Sequence, residues 1–247
     1  MNTKQILNPE KKLAGRIVSI DEISDNQRRC MFKLLNKYFD NVREEMFFKD
    51  LNQKRWAILF EDRSTGELQG FSTQELIEEN VDGIPIKALF SGDTIIDKEY
   101  WGSGELPRVW GKLVKSLMRE YSQSKLLWFY ISKGYMTYLL MPRYFYDYYP
   151  KFDSKSNGFE RSVLDKLALK KFGSGYNQST GIVKIDFNYY LKEGVGQITD
   201  DLLKNQDVNF FMDRNPNHTK GNELACIVEL KLSNMKPMLK NLIECEE

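Results

Sequence analysis

Apolar and polar positions along the chain fall into blocks whose period switches between that of a helix and that of a strand. Arg16 to Ile20 is a short strand candidate, Ser24 is placed to cap a helix running to about Phe39, and Val42 to Leu51 makes a second short helix. Arg55-Trp-Ala-Ile-Leu-Phe-Glu61 has the apolar run of a buried strand. Arg63-Ser-Thr-Gly66 supplies the polar and glycine chemistry of a hairpin turn, which predicts that Glu67 to Leu76 returns beside it. Pro85 to Ile96 makes the next long strand, interrupted by Gly92 between Ser91 and Asp93. A glycine inside a strand marks a bulge or the close approach of another backbone.

Beyond Ile96 the period changes. Leu106, Val109, Trp110, Leu113, Val114, Leu117 and Met118 form the stripe of a helix packed on a sheet, with Pro107 in its tolerant first turn. Leu126 to Ser132 is almost wholly apolar, as in a sheet interior, and the order strand, helix, strand predicts parallel pairing. Gly134 to Tyr149 is a helical segment rich in tyrosine (135, 138, 144, 146, 148 and 149) in which Pro142 is expected to break or kink the helix. Asp153 to Gly158 has linker composition. A helix over Phe159 to Phe172, a connector at Gly173-Ser-Gly175, strands near Ile182 to Ile185, Val208 to Met212 and Leu224 to Leu232, and a closing helix from Asn234 complete the expectation. The fold class is α/β (α+β): a mixed, mostly antiparallel central sheet flanked by helices, with residues 1–152 as a core and 153–247 as an α/β extension packed on it.

Composition narrows the function. With 36 Lys+Arg against 35 Asp+Glu the chain has no global field for a polyanion, which argues against a general nucleic-acid role. Cys30, Cys226 and Cys245 are odd in number and widely spaced, as expected of reduced thiols, and one histidine argues against a histidine-rich metal centre. The polar start, Met1 to Lys12, has no apolar run suited to a secretory signal, and the longest apolar run, Leu126 to Ile131, is far short of the ~20 residues that span a bilayer. The expectation is a cytoplasmic protein with no membrane, nucleic-acid or metal partner.

Candidate chemistry centres on Ile95-Ile-Asp-Lys-Glu-Tyr-Trp101-Gly-Ser-Gly-Glu-Leu-Pro107, where an apolar strand enters a long helix through a glycine-rich turn. Glycines let the backbone bend toward a ligand, and the first N–H groups of a helix attract an anion. Helices, three antiparallel strands, a bent third strand, this turn, a helix, a buried strand and an aromatic helix together resemble the GNAT superfamily of N-acetyltransferases over about Arg16 to Phe152. The resemblance implies a donor site for acetyl-CoA or another acyl-CoA, or for the phosphopantetheine of an acyl carrier protein. The pantetheine would lie on Ile95 and Ile96, and the phosphate would meet Trp101, Gly102, Ser103, Gly104, Glu105 and Leu106. Trp101 and Leu106 depart from the family's turn, and Glu105 is expected to set a negative charge beside the anion.

Acyl transfer to an amine needs a base, oxyanion donors and an acid for the departing thiolate. The resemblance implies a tyrosine acid after the buried strand, and Tyr144 and Tyr146 are the candidates, with Tyr138 behind them. Asp93 at the strand bend is a candidate base through a water, or else a residue that stabilises the bend. His218, in the turn-like Asn215 to Glu223, has the ring suited to proton transfer near neutrality, with Glu223 or Asp213 placed to tune it. Cys226 is expected to be a buried, inert thiol. The acceptor is expected to be a small-molecule or peptide amine, and a homodimer is a candidate assembly. A catalytically silent binding module that senses a thioester or a partner protein is the rival function.

Overall fold

The computed structural model describes residues 12–153, 158–185, 189–193 and 197–244. In chain order the elements are β1 (Leu13–Ser19), α1 (Asp25–Tyr38), β2 (Phe39–Asp40), α2 (Glu44–Leu51), β3 (Trp56–Asp62), β4 (Leu68–Val81), β5 (Ile84–Ile96), α3 (Glu105–Glu120), β6 (Lys125–Ser132), α4 (Tyr135–Tyr138) and α5 (Leu140–Tyr144). They continue through α6 (Phe159–Phe172), β7 (Tyr176–Asn177), β8 (Ile182–Val183), β9 (Tyr190–Leu191), α7 (Asp200–Leu203), α8 (Gln206–Arg214), β10 (Glu223–Glu229) and α9 (Pro237–Glu244). Eight strands form one sheet in the order β1-β3-β4-β5-β6-β10-β8-β7, and β2 pairs with β9 separately. Among the described residues only β5 and β6 run parallel, and the other neighbouring pairs are antiparallel.

Side chains alternate between the two faces of a strand. Ile58 and Phe60 of β3, Leu89 of β5, and Trp128 and Tyr130 of β6 pack on one face with the α3 stripe Val109, Trp110, Leu113, Val114 and Leu117. Leu239 and Ile243 of α9 complete that layer. On the other face, Ala57 and Leu59 meet Met31, Leu34 and Leu35 of α1, while Phe90, Leu127 and Phe129 meet Val163, Leu164 and Leu167 of α6. Ser24 caps α1 by accepting the Gln27 N–H, and the Gln27 side chain returns to the Ser24 N–H.

Two local features shape the sheet around its parallel pair. The β4–β5 register passes from Ser72↔Thr94 to Gln74↔Ser91, so Gly92 and Asp93 together oppose Thr73. That is a one-residue bulge, which bends its strand. The β5–β6 ladder runs from Ile86↔Lys125 to Ser91↔Tyr130 and stops there, just before the bulge. Beyond it β5 continues to Ile96 paired with β4 alone, while β6 continues to Ser132 paired with β10.

The structure corrects several sequence expectations. Val208 to Met212 lies in the helix α8, not in a strand. Asn205 accepts from the N–H groups of Asp207 and Val208 to start the helix, and Val208 and Phe211, three apart, are both buried. A five-residue apolar run fits either period when read alone. The tyrosine-rich segment forms two short helices and then runs extended, with bridges from Phe145 to Met235 and from Tyr149 to Ile227. The closing helix starts at Pro237, because Asn234 sits in a single-turn helix and its side-chain amide donates to Asp147 O and Glu229 O. Residues 154–157 of the expected linker lie outside the described residues.

Helix α6 presents Leu167, with no exposed surface, to the sheet and turns Leu169, 40% exposed, to solvent. Leu167→Ala should therefore cost about 2–5 kcal/mol in denaturant unfolding. Leu169→Ala should stay within about 0.5 kcal/mol of the parent chain. Equal losses would show that α6 is docked in another rotation.

Candidate active site

Because β5 and β6 part after Ser91 and Tyr130, the sheet opens into a cavity of 490 Å³. One end reaches the glycine turn through Trp101, Gly102, Leu106 and Pro107. The middle is bounded by Gly92, Asp93, Thr94, Ile95 and Ile96 of β5 and by Trp128, Tyr130 and Ile131 of β6. Trp110 of α3, Leu140 and Tyr144 of α5 and Leu239 of α9 supply an apolar wall, and Phe39, Lys133, Tyr189 and Glu223 close the far end.

The wall is rigid for identifiable reasons. Trp110 packs on Trp128 with centroids 4.6 Å apart, and Trp128 on Tyr130 at 4.5 Å, giving a continuous aromatic surface. The Trp128 Nε1–H donates to Ser91 Oγ at 2.9 Å, Ser91 Oγ donates to Gln74 Oε1 at 2.8 Å, and Gln74 Nε2 donates to Ser72 Oγ at 2.8 Å. Ser72 and Thr94 hydroxyls are 2.7 Å apart. This chain joins β4, β5 and β6 on either side of the bulge, and its Trp128, Ser91, Gln74 and Ser72 links are buried from water. Trp110 Nε1 is buried and has no hydrogen-bond partner among the described residues.

The turn itself has a defined bonding pattern. Gly102 (φ 82°) and Gly104 (φ 74°) take the left-handed conformation that glycine adopts without a Cβ penalty, and Gly104 begins α3 with no side-chain cap. The Ser103 N–H bonds Tyr100 O, the Glu105 N–H approaches Ser103 Oγ at 3.4 Å, and Pro107 has no N–H. Gly102, Gly104 and Leu106 carry the other backbone donors of the bend. Trp101 lies over the strand end, its indole N–H donating to Ile96 O at 2.7 Å. Glu105, expected to set a negative charge beside the anion, has its carboxylate bound within the fold. Its carboxylate accepts the Gly15 N–H at 2.8 Å and is held by Arg108 at 2.6 Å, so its charge is compensated and spent on tying α3 to β1.

The far end gathers charge in a confined space. Asp93 is half-buried on the cavity wall and accepts a hydrogen bond from the Tyr189 hydroxyl. Its carboxyl is pushed up to about 6 by loss of solvent and by the Asp50 carboxylate, against the opposing pull of the Tyr189 bond and of Lys54 and Lys133. Lys133 and Glu223, both buried, pair at 3.3 Å, and Lys133 Nζ also donates to Tyr189 O at 2.7 Å.

The remaining candidates have other surroundings. Tyr144 lines the cavity, but Tyr146 is 55% exposed and lies outside it. The buried Tyr138 hydroxyl donates to Pro150 O at 3.0 Å, and burial pushes that phenol well above its ordinary value. His218 sits in a single-turn helix between α8 and β10, its ring against Phe211 at 5.7 Å and its Nδ1 3.2 Å from Asn215 O. Burial lowers its pKa, and it lies outside the cavity lining. Burial likewise pushes the Cys226 thiol well up, and Cys245 is outside the described residues. Among the described residues no three His, Cys, Asp or Glu side chains are grouped to hold a metal ion, and no helix is long and apolar enough to cross a membrane. Lys133, Tyr189 and the serine and glutamine chain escaped the sequence because isolated polar residues have no period; the one visible signal was a lysine directly after an almost wholly apolar strand.

No protein-family model matches the chain, and no curated protein matches it. Among solved structures it is similar to a GNAT family N-acetyltransferase from Escherichia coli in complex with CoA, at 14% identity over 51% of this chain and 66% of that one, with a TM-score of 0.37. It is similar to Saccharomyces cerevisiae N-myristoyltransferase with bound myristoyl-CoA at 17% identity, covering 49% of this chain and 31% of that one, with a TM-score of 0.35. A conserved protein from Enterococcus faecalis V583, described as a probable N-acyltransferase, is 14% identical over 87% of this chain and 65% of that one, with a TM-score of 0.43. The chain thus spans 31–66% of the length of these three.

Asp93 gives a stability signature. A carboxyl raised in the folded state contributes stability below its unfolded pKa and loses that contribution as pH rises through about 6. Asp93→Asn should therefore melt higher than the parent chain at pH 8, with the difference shrinking toward pH 4. An unchanged melting difference across that range would mean that Asp93 titrates normally.

Proposed function

We propose that the chain is an acyltransferase of the acetyltransferase-like fold, moving an acetyl or longer acyl group from a pantetheine thioester to a small-molecule or peptide amine. One observation carries this reading: a single cavity leads from the glycine turn at Gly102, along an edge of β5 that no strand pairs among the described residues, to Asp93. An open strand edge offers alternating N–H and C=O groups, which suits an extended ligand with amide groups of its own. The glycine turn and the start of α3 offer backbone donors to a phosphate at the other end of the same path.

When bound, the donor supplies an acyl carbonyl activated by its thiol leaving group. The protein's residues divide the remaining work. Asp93, with a carboxyl near neutrality, is suited to take the proton from an acceptor amine, directly or through a water. Tyr144 is on the cavity wall after the parted strand and is the candidate acid for the thiolate. The apolar wall of Trp110, Trp128, Leu140 and Leu239 excludes water from the path.

The turn bears on the choice of donor. With Ser103 and Glu105 N–H groups engaged and Pro107 lacking one, few donors remain for a pyrophosphate. A carrier-protein phosphopantetheine, with one phosphate, needs fewer.

Thiol release measured with a panel of acyl-CoA and acyl carrier protein donors, in the presence of mixed primary amines, tests the reading. Donor binding with turnover is expected. Its rate should climb as pH rises through about 6, because protonated Asp93 cannot accept the amine proton. Asp93→Asn should slow turnover by about 100-fold or more while donor binding persists. Binding without thiol release would favour the silent thioester-sensing module, and no binding to any donor would refute both.

A further inference from the structure

The far end of the cavity already holds a primary amine. Lys133 directly follows β6 where that strand has parted from β5, and its side chain is buried. Its Nζ lies 3.7 Å from the centroid of the Tyr189 ring and 5.6 Å from that of Phe39. It donates to Tyr189 O at 2.7 Å and pairs with Glu223 Oε1 at 3.3 Å. Two aromatic faces, a carbonyl and a carboxylate are the groups that hold an alkylammonium. Asp93, whose Oδ1 accepts from the Tyr189 hydroxyl, stands on the opposite, β5 side of the same opening. An acceptor amine entering to meet a thioester at the bend would need this surrounding, and Lys133 occupies it.

The geometry points to Lys133 as an acyl acceptor in cis, so that the chain modifies its own ε-amine; this rests on the acyltransferase reading of the same cavity. The Lys133 ammonium first gives a proton to Glu223, the carboxylate that touches it. The neutral nitrogen then attacks the thioester carbonyl carbon, a C–N bond forms, and the C–S bond breaks with its electron pair leaving on sulfur. The second nitrogen proton passes through the carboxylates of the cage to the thiolate, and the first is released to solvent. The products are an ε-amide, a free thiol and one proton. Amide formation removes the ammonium charge, and with it the ion pair to Glu223 and the cation–π contact to Tyr189, which tie β6, β10 and the segment at β9 together.

The test incubates the full chain with acetyl-CoA and, separately, with acetylated acyl carrier protein, and reads the intact mass and the modified peptides, with binding of each donor followed separately by calorimetry. One acetyl increment on Lys133 is expected, forming about 10-fold or more faster than on any exposed lysine because the amine is already positioned. Prior unfolding of the chain should remove that preference. Lys133→Arg, which keeps the positive charge, should lose the increment. Should that variant fail to fold, peptide mapping of the parent chain decides alone. A bound donor with Lys133 unmodified, or modified no faster than exposed lysines, overturns self-acylation and leaves the acyltransferase reading standing. Absence of donor binding overturns both.

Discussion

One extra residue in β5 sets up the site. Gly92 and Asp93 against Thr73 form the bulge, and at that level β5 and β6 stop pairing. A parallel pair in the middle of a sheet is normally covered and closed along its length. Here it is closed only to Ser91 and Tyr130, and the parted ends frame the cavity. A Cβ at position 92 would stand 2.6 Å from Thr73 Oγ1 and 3.0 Å from Lys54 Cε, so the backbone at the bulge packs more closely than any other residue would allow.

The bulge is secured from both faces of the sheet. On the cavity side the hydrogen-bond chain from Trp128 through Ser91 and Gln74 to Ser72 and Thr94 leaves few alternative registers. Beneath it, the buried Lys54 pairs with Asp50 at 2.6 Å and Glu75 at 3.5 Å, and Lys171 from α6 reaches the same Glu75 at 2.6 Å. Burial opposes the Lys54 charge, but its carboxylate neighbours outweigh it and its pKa lies above the ordinary value. Asp50 carries the influence onward by raising Asp93. The ionic cluster that binds α2, β4 and α6 together therefore also tunes the candidate base.

Residues from the far end of the chain complete the cavity. Leu239 of α9 walls it, Glu223 at the start of β10 pairs with Lys133, and Tyr189 bonds Asp93. They arrive there because β10 adds to β6 in full antiparallel register and β9 pairs with β2. Residues after 152 thus complete the far end of the cavity with Tyr189 and Glu223, beside Asp93 and Lys133 from earlier in the chain, which also supplies the glycine turn and the parted strands.

Apart from the short β2, the order of elements through Ser132 was legible in the sequence, since buried strands and a striped helix follow from periods of 2 and 3.6 and from the glycines that interrupt them. Gly92 announced the bulge, and Gly102 and Gly104 announced the turn, because left-handed or crowded backbone needs a residue without a side chain. Asp93 and Tyr144 were named from their place beside those signals, and both line the cavity. Tertiary structure alone decided the rest. It turned Val208 to Met212 into a helix through the Asn205 cap and paired Glu105 with Arg108. It left Tyr146 and His218 outside the cavity and enclosed Lys133 between Tyr189 and Glu223. These outcomes depend on contacts between residues far apart in the chain, and a local pattern of apolar and polar positions carries no record of which distant side chain will meet a given charge.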